Sequence, residues 1–104
     1  MPKGYWIAHV DVNDMETYKN YMAAIQAPFA RFGARYLVRG GEVSQAEGQN
    51  RLRTVVIEFP TIEAARDCYD SPEYQAARKF RLESAAADLQ VIQGYDGPQP
   101  VSAD

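Results

Sequence analysis

Two periods of hydrophobic recurrence take turns along this chain, and their order restricts the folds open to it. The stretch "GYWIAHVDV" mixes aromatic and β-branched residues without the i, i+3, i+4 rhythm of a helix. It reads as a strand over Tyr5 to Val12, buried on both faces, with Trp6, Ala8 and Val10 on one side and Tyr5, Ile7 and His9 on the other. From Asn13 to Gly33 the apolar positions Met15, Tyr18, Met22, Ile25, Phe29 and Phe32 step by three and four, the pattern of an amphipathic helix. Asn13 with Glu16 resembles a capping box, and Gly33 can supply the left-handed residue that ends the helix. Pro28 removes a helix hydrogen bond and crowds the preceding turn, which predicts a bend between Ala24 and Pro28.

The period then returns to two. "ARYLVRGG" and "RLRTVVIEFP", separated by the polar "EVSQAEGQN", read as antiparallel strands joined by a long exposed loop. Two helical pieces follow, one capped by Thr61 and one by Ser71 with Pro72 in the first turn, the second running through "SPEYQAARKFRLESAAAD". "LQVIQGY" reads as a last strand, and "DGPQPVSAD" has the composition of a loose tail. One domain over 1–95 and a flexible tail over 96–104 are therefore expected. The order β-α-β-β-α-β, with right-handed crossovers, gives an α+β, ferredoxin-like antiparallel sheet of four strands with both helical layers on one face. The other face is left bare and apolar, and an identical copy is the symmetric way to cover it, so a homodimer through the sheet face is expected.

Composition removes several classes of function. With 11 Lys and Arg against 14 Asp and Glu the net charge is −3, and no basic run or clustered basic helix exists to track phosphates, so nucleic acid is not an expected partner. A single cysteine, Cys68, excludes an intrachain disulfide, and with one His beside it no closed His/Cys zinc site can form within one chain. The apolar stretch near the N-terminus is short and interrupted by His9 and Asp11, unlike a signal segment or a span of ~20 apolar residues. A soluble, cytoplasmic protein without a membrane segment is expected.

One carboxylate stands out. Along "TVVIEF", Val55, Ile57 and Phe59 fall on the better helix-facing side, which turns Glu58 toward the bare face with His9. The first and third strands are read as parallel central neighbours, so His9 and Glu58, each near the end of its strand, are expected to meet at one edge of the sheet. A carboxylate beside an imidazole in a partly dry cavity can poise the ring as a general base or acid. Tyr36 is expected to approach Glu58 from the second strand, with Arg39 toward the opposite end and Arg35 the nearer arginine if the hairpin register allows. The same pair also reads as structural, bonded within the chain or across a dimer. Tyr74, Arg78 and Arg81 on the last helical piece read as a face that covers the core, with Tyr74 and Arg81 kept as secondary ligand contacts. Tyr18, Tyr21 and Met22 read as helix core and Cys68 as a small buried hydrophobe rather than a nucleophile.

"DxxxYxxY" at Asp14, Tyr18 and Tyr21, "RGG" at Arg39 to Gly41 and, above all, "VVIEFPTIEAARDCYDSPEYQ" resemble the family known as domain of unknown function 1330, from about Gly4 to Tyr95. The resemblance implies a dimeric α/β barrel, two sheets packed face to face around an interior able to hold a small ligand, and no established reaction. The wider superfamily includes haem-degrading monooxygenases, cofactor-independent oxygenases and muconolactone-type isomerases. Haem is not expected here, because the only histidine lies on the first strand and not on a helix. The resemblance therefore implies either a cofactor-free isomerase or oxygenase acting on a small aromatic or carbonyl compound in the inter-sheet cavity, with neither metal nor cofactor, or a module that binds such a compound without turnover. A structural dimer with a filled barrel is the third alternative.

Overall fold

The structure, a computed structural model, describes residues 2–101, so the expected tail over 96–104 lies partly outside the described residues. Eight elements follow one another: β1 (Gly4–Val12), α1 (Met15–Ala24), α2 (Gln26–Arg31), β2 (Arg35–Arg39), β3 (Arg53–Phe59), α3 (Ile62–Asp70), α4 (Pro72–Ser84) and β4 (Ala85–Gln93). The strands form one antiparallel sheet in the order β2-β3-β1-β4, the ferredoxin-like arrangement. Local chemistry sets most of the boundaries. Thr61 and Ser71 cap α3 and α4 by accepting from the amides of Ala64 and Tyr74, and Gly33, at φ +74°, ends the first helical layer. That layer breaks at Ile25, where the turn needed to accommodate Pro28 separates α1 from α2. Its cap is Asp14 and not Asn13: the Asp14 carboxylate accepts from the Thr17 amide at 3.2 Å and from the Thr17 hydroxyl at 2.8 Å.

Burial divides the sheet as the alternation requires. Trp6, Val10, Ile57 and Phe59 are buried beneath the helices, with Trp6 packed against the rings of Phe29, Tyr69 and Tyr74. Tyr5, Ile7, His9, Val56 and Glu58 lie on the other face, where they are only partly covered. The last helix is shorter than its alanine-rich sequence suggests, because Ala85 to Ala87 belong to β4 and pair with Val12, Asp11 and Val10. Propensity favours continuing the helix there. The amides of Asn13 and Asp14 donate to the Ser84 carbonyl at 2.7 and 3.1 Å, however, and pairing with β1 takes the following residues. Among the described residues no helix is long and apolar enough to cross a membrane.

Candidate functional site

A cleft opens between the helix-facing side of the sheet and the first helical layer. Trp6, Ala8 and Val10 from β1, Val55 and Ile57 from β3 and Ala87 and Leu89 from β4 form its floor, while Tyr18, Tyr21, Met22, Ile25 and Phe29 form its roof. Tyr36 and Arg39 of β2, Arg53 of β3 and Arg81 of α4 complete the lining. The cleft holds about 500 Å³ of space between atoms, mouth included, and about 30 Å³ of that can take the centre of a water-sized sphere. A single water needs roughly 10–15 Å³ by that measure, so the inner part is real space, although narrow.

Its electrostatics are one-sided. Three guanidiniums line the cleft, and among the described residues no carboxylate or imidazole does. Arg39 is exposed, Arg53 half-buried and Arg81 only 7% exposed, so positive charge runs from mouth to interior. Among the described residues none of the three makes an ion pair. Arg81 donates from Nη2 to the Tyr74 hydroxyl at 3.5 Å and lies 5.8 Å from the centroid of the Tyr21 ring, and Tyr21 and Tyr74 share a hydroxyl contact of 2.9 Å. The Nε atoms of Arg53 and Arg81 and the hydroxyl of Tyr36 are buried without a hydrogen-bond partner. Removing a charge from water costs several kcal/mol unless partners are supplied. Burial also holds the phenols of Tyr21 and Tyr18 above their ordinary range, so both stay protonated. Every polar group positioned in the cleft is a donor, and none is a base ready for use at neutral pH. Gly40 helps place Arg53: a Cβ built there would stand 2.8 Å from the Arg53 Cζ.

The proposed meeting of His9 and Glu58 does not occur within the chain. A right-handed β1-helix-β2 crossover makes β1 and β2 parallel, and β3, inserted between them and hairpin-linked to β2, runs antiparallel to both. The expected parallel β1–β3 pair is therefore antiparallel, and a position late in β1 faces one early in β3. His9 stands opposite Thr54, with 3.0 Å between Nδ1 and Oγ1, and Glu58 stands opposite Tyr5. Four residues of strand, ~13 Å, separate the two levels.

Each group has other company. Glu58 accepts from the Tyr5 hydroxyl at 3.5 Å, lies 3.9 Å from the Lys3 ammonium and has Arg35 as its register partner on β2. At the His9 end, Arg51 links Asp11 and Asp88 at 2.9 and 3.0 Å and anchors the long β2–β3 loop, under which a second, more open hollow of about 620 Å³ between atoms holds no converging charge. The expected approach of Tyr36 to Glu58 fails for a related reason, since Tyr36 pairs with Ile57 and faces the helices.

The two faces therefore divide the sequence-derived candidates. Tyr36, Arg39 and Arg81 line the cleft, with Tyr74 behind Arg81, whereas His9, Glu58 and Arg35 belong to the bare face. Sequence reasoning missed Arg53, Tyr18 and Tyr21 as lining residues. Arg53 was detectable: it shares parity with Val55, Ile57 and Phe59, a cation on the helix-facing side of a strand. Tyr18 and Tyr21 have no such signal, because an aromatic residue that roofs a cleft follows the same helical spacing as one that fills a core. Cys68 is fully buried, and burial pushes its thiol up to about 12, which fits the reading of it as an inert core residue.

The order of strands, the helices on one face and the cleft beneath them define an α+β protein of the ferredoxin-like class. The chain belongs to the domain of unknown function family DUF1330, whose model matches residues 3–95. No curated protein matches it significantly. Among solved structures it is similar to a protein of unknown function from Rhodopseudomonas palustris, at 15% identity and a TM-score of 0.70 over 92% of this chain and 85% of that one. It is similar to SnoaB, a cofactor-independent oxygenase from Streptomyces nogalater, at 12% identity and a TM-score of 0.62 over 97% and 98% of the two chains. A dimeric protein of unknown function and ferredoxin-like fold from Bacteroides fragilis shares 17% identity and a TM-score of 0.57 over 88% and 95%. At these identities the likeness is one of fold.

Proposed function

We propose that the protein binds a small aromatic or carbonyl compound in the cleft between sheet and helices, and not on the bare sheet face. The observation that carries this reading is the cleft itself: aromatic walls at Trp6, Phe29 and Tyr36, with buried donors left unpaired among them. An apolar pocket with a few convergent polar groups is the usual form of a small-molecule site. Binding without turnover is favoured over isomerisation by a protein base, because the cleft contains donors and no basic carboxylate or imidazole. Cofactor-independent oxygenation is the second reading. The likeness to SnoaB favours it, as does a site able to stabilise a substrate that ionises by itself.

Calorimetric titration with 2-naphthoate and 2-acetylnaphthalene, followed by chromatography of the recovered compound and an oxygen-electrode trace, separates these readings. Saturable heat at one site per chain with the compound intact is expected. Oxygen uptake with a new product would move the assignment to an oxygenase. Absence of saturable heat with both compounds at millimolar concentration would overturn the site.

The second part of the proposal is a homodimer through the bare face, where Tyr5, Ile7, Val38, Val56 and Ile92 leave apolar surface uncovered. The dimeric neighbour from Bacteroides fragilis supports it. Light scattering at micromolar protein is expected to give twice the chain mass of 11.7 kDa, and a single-chain mass would refute the dimer.

A further inference from the structure

We infer that the cleft ligand is an organic acid, and that its carboxylate or equivalent delocalised oxyanion sits on Arg81, with Arg53 and the Tyr36 hydroxyl completing the head-group site. The inference rests on the cleft being the binding site and adds the chemical class of what binds there. Three observations carry it. Arg81 is 93% removed from solvent by its 7% exposure, in a wall that supplies no carboxylate to neutralise it. Its Nη2 donates one hydrogen to the Tyr74 hydroxyl, while Nε, its neighbour on the same edge of the guanidinium, is buried with no partner. Arg53 Nε and Tyr36 Oη, on two residues that line the same cleft, are buried and equally unpartnered.

A buried guanidinium is normally matched by an anion or a fully satisfied network. Here the described residues supply part of a network and no anion, which leaves the neutralising charge to come from the ligand. A planar two-oxygen anion suits the guanidinium fork, taking two parallel N–H bonds. The third donor, Tyr36, then accounts for a further lone pair. The apolar walls at Trp6 and Phe29 suit an aromatic or alicyclic body attached to that head, and exposed Arg39, stacked 4.3 Å from the Tyr36 ring centroid, extends the positive path to the mouth. Inorganic anions would satisfy the charge but leave the apolar walls empty, so they are expected to bind far more weakly.

The test compares 2-naphthoate with 2-acetylnaphthalene, which keeps the ring system and one oxygen but carries no charge. The wild-type protein is expected to bind the acid at least tenfold more tightly. Arg81→Gln is expected to weaken the acid at least thirtyfold while changing the ketone less than threefold. Should Arg81→Gln fail to fold, Arg53→Gln, at a half-exposed position, is expected to weaken the acid several-fold and to reduce the salt dependence of its binding. Equal affinity for the two compounds, or an Arg81→Gln protein that folds and keeps its affinity for the acid, would overturn the head-group assignment while leaving the cleft in place. Binding of the ketone alone would also overturn it and would point to a carboxylate of the protein already seated on Arg81. No binding of either compound would mean that the cleft reading, and not only the acid, is wrong.

Discussion

Trp6→Ala is expected to remove about 3–5 kcal/mol of stability, the range for deleting a large buried aromatic side chain. Trp6 is 1% exposed and lies at the meeting point of sheet and helices, with ring centroids at 4.9 Å from Tyr74, 5.3 Å from Phe29, 5.3 Å from Phe59 and 5.9 Å from Tyr69. The edge-on arrangement with Phe29 and Tyr74 is the geometry that aromatic quadrupoles favour. Its indole also donates to the Ala65 carbonyl at 2.8 Å and so ties α3 to β1. Alanine removes this packing and the indole bond that ties α3 to β1. A domain of this size has about 5–15 kcal/mol in total, so the variant should be near the limit of folding. Urea denaturation followed by far-ultraviolet circular dichroism measures the loss, since the variant has no tryptophan to report. Trp6→Phe should lose less, because most of the ring contact survives. A Trp6→Ala protein within 1 kcal/mol of wild type would contradict the packing described.

Gly4→Ala is the smallest change with a large expected effect. A Cβ at Gly4 would lie 2.5 Å from both the Ile62 Cα and the Thr61 carbonyl oxygen, at the start of α3. Both obstacles are backbone, and Thr61 is fixed by its role as the helix cap. Gly4 cannot retreat either, because it is held between Phe59 of β3 and Gln93 of β4. Either α3 shifts along the sheet or β1 bends away from its neighbours. Overpacking of this kind costs about 1–3 kcal/mol, and each kcal/mol lowers Tm by roughly 4–8 °C in a domain near this size. A fall in Tm on the order of 10 °C is expected in differential scanning calorimetry. No measurable fall would show that α3 packs less closely on β1 than described. Gly41→Ala is the control, since a Cβ there meets nothing within 4 Å.

The element order was legible because each segment keeps one period over several residues. Strand alternation in β1 and β3, caps at Thr61 and Ser71 and the break ahead of Pro28 are local signals that tertiary packing preserved. Three features depended on information that no short segment contains. Ala85 to Ala87 have helical propensity but are taken by pairing with β1. An irregularity at Leu37 shifts the β2 register, so Arg39 faces the helices opposite Val55, where strict alternation would turn it away.

The third was strand direction. Reading β1 and β3 as parallel brought His9 and Glu58 together, while the antiparallel register separates them. Parity alone had set both residues on the bare face, and there the structure leaves them apart. The cations that line the cleft were visible in principle. Arg53 shares parity with a buried stripe, and Arg81 falls in step with Tyr74, Ala77 and Ser84, all buried on α4. A charge at an apolar position of a period is the signal that carries most information about this cleft.

The lone tryptophan and the lone histidine lie on opposite faces of the same strand, so each reports on one face in the native protein. An NMR titration with 2-naphthoate, following the Trp6 indole N–H and the His9 ring protons in one sample, therefore tests directly where a ligand binds. A saturable shift of the Trp6 signal with His9 unmoved is the expected result and would place the ligand between sheet and helices. A saturable shift at His9 with Trp6 unmoved would place it on the bare face and contradict the proposed site.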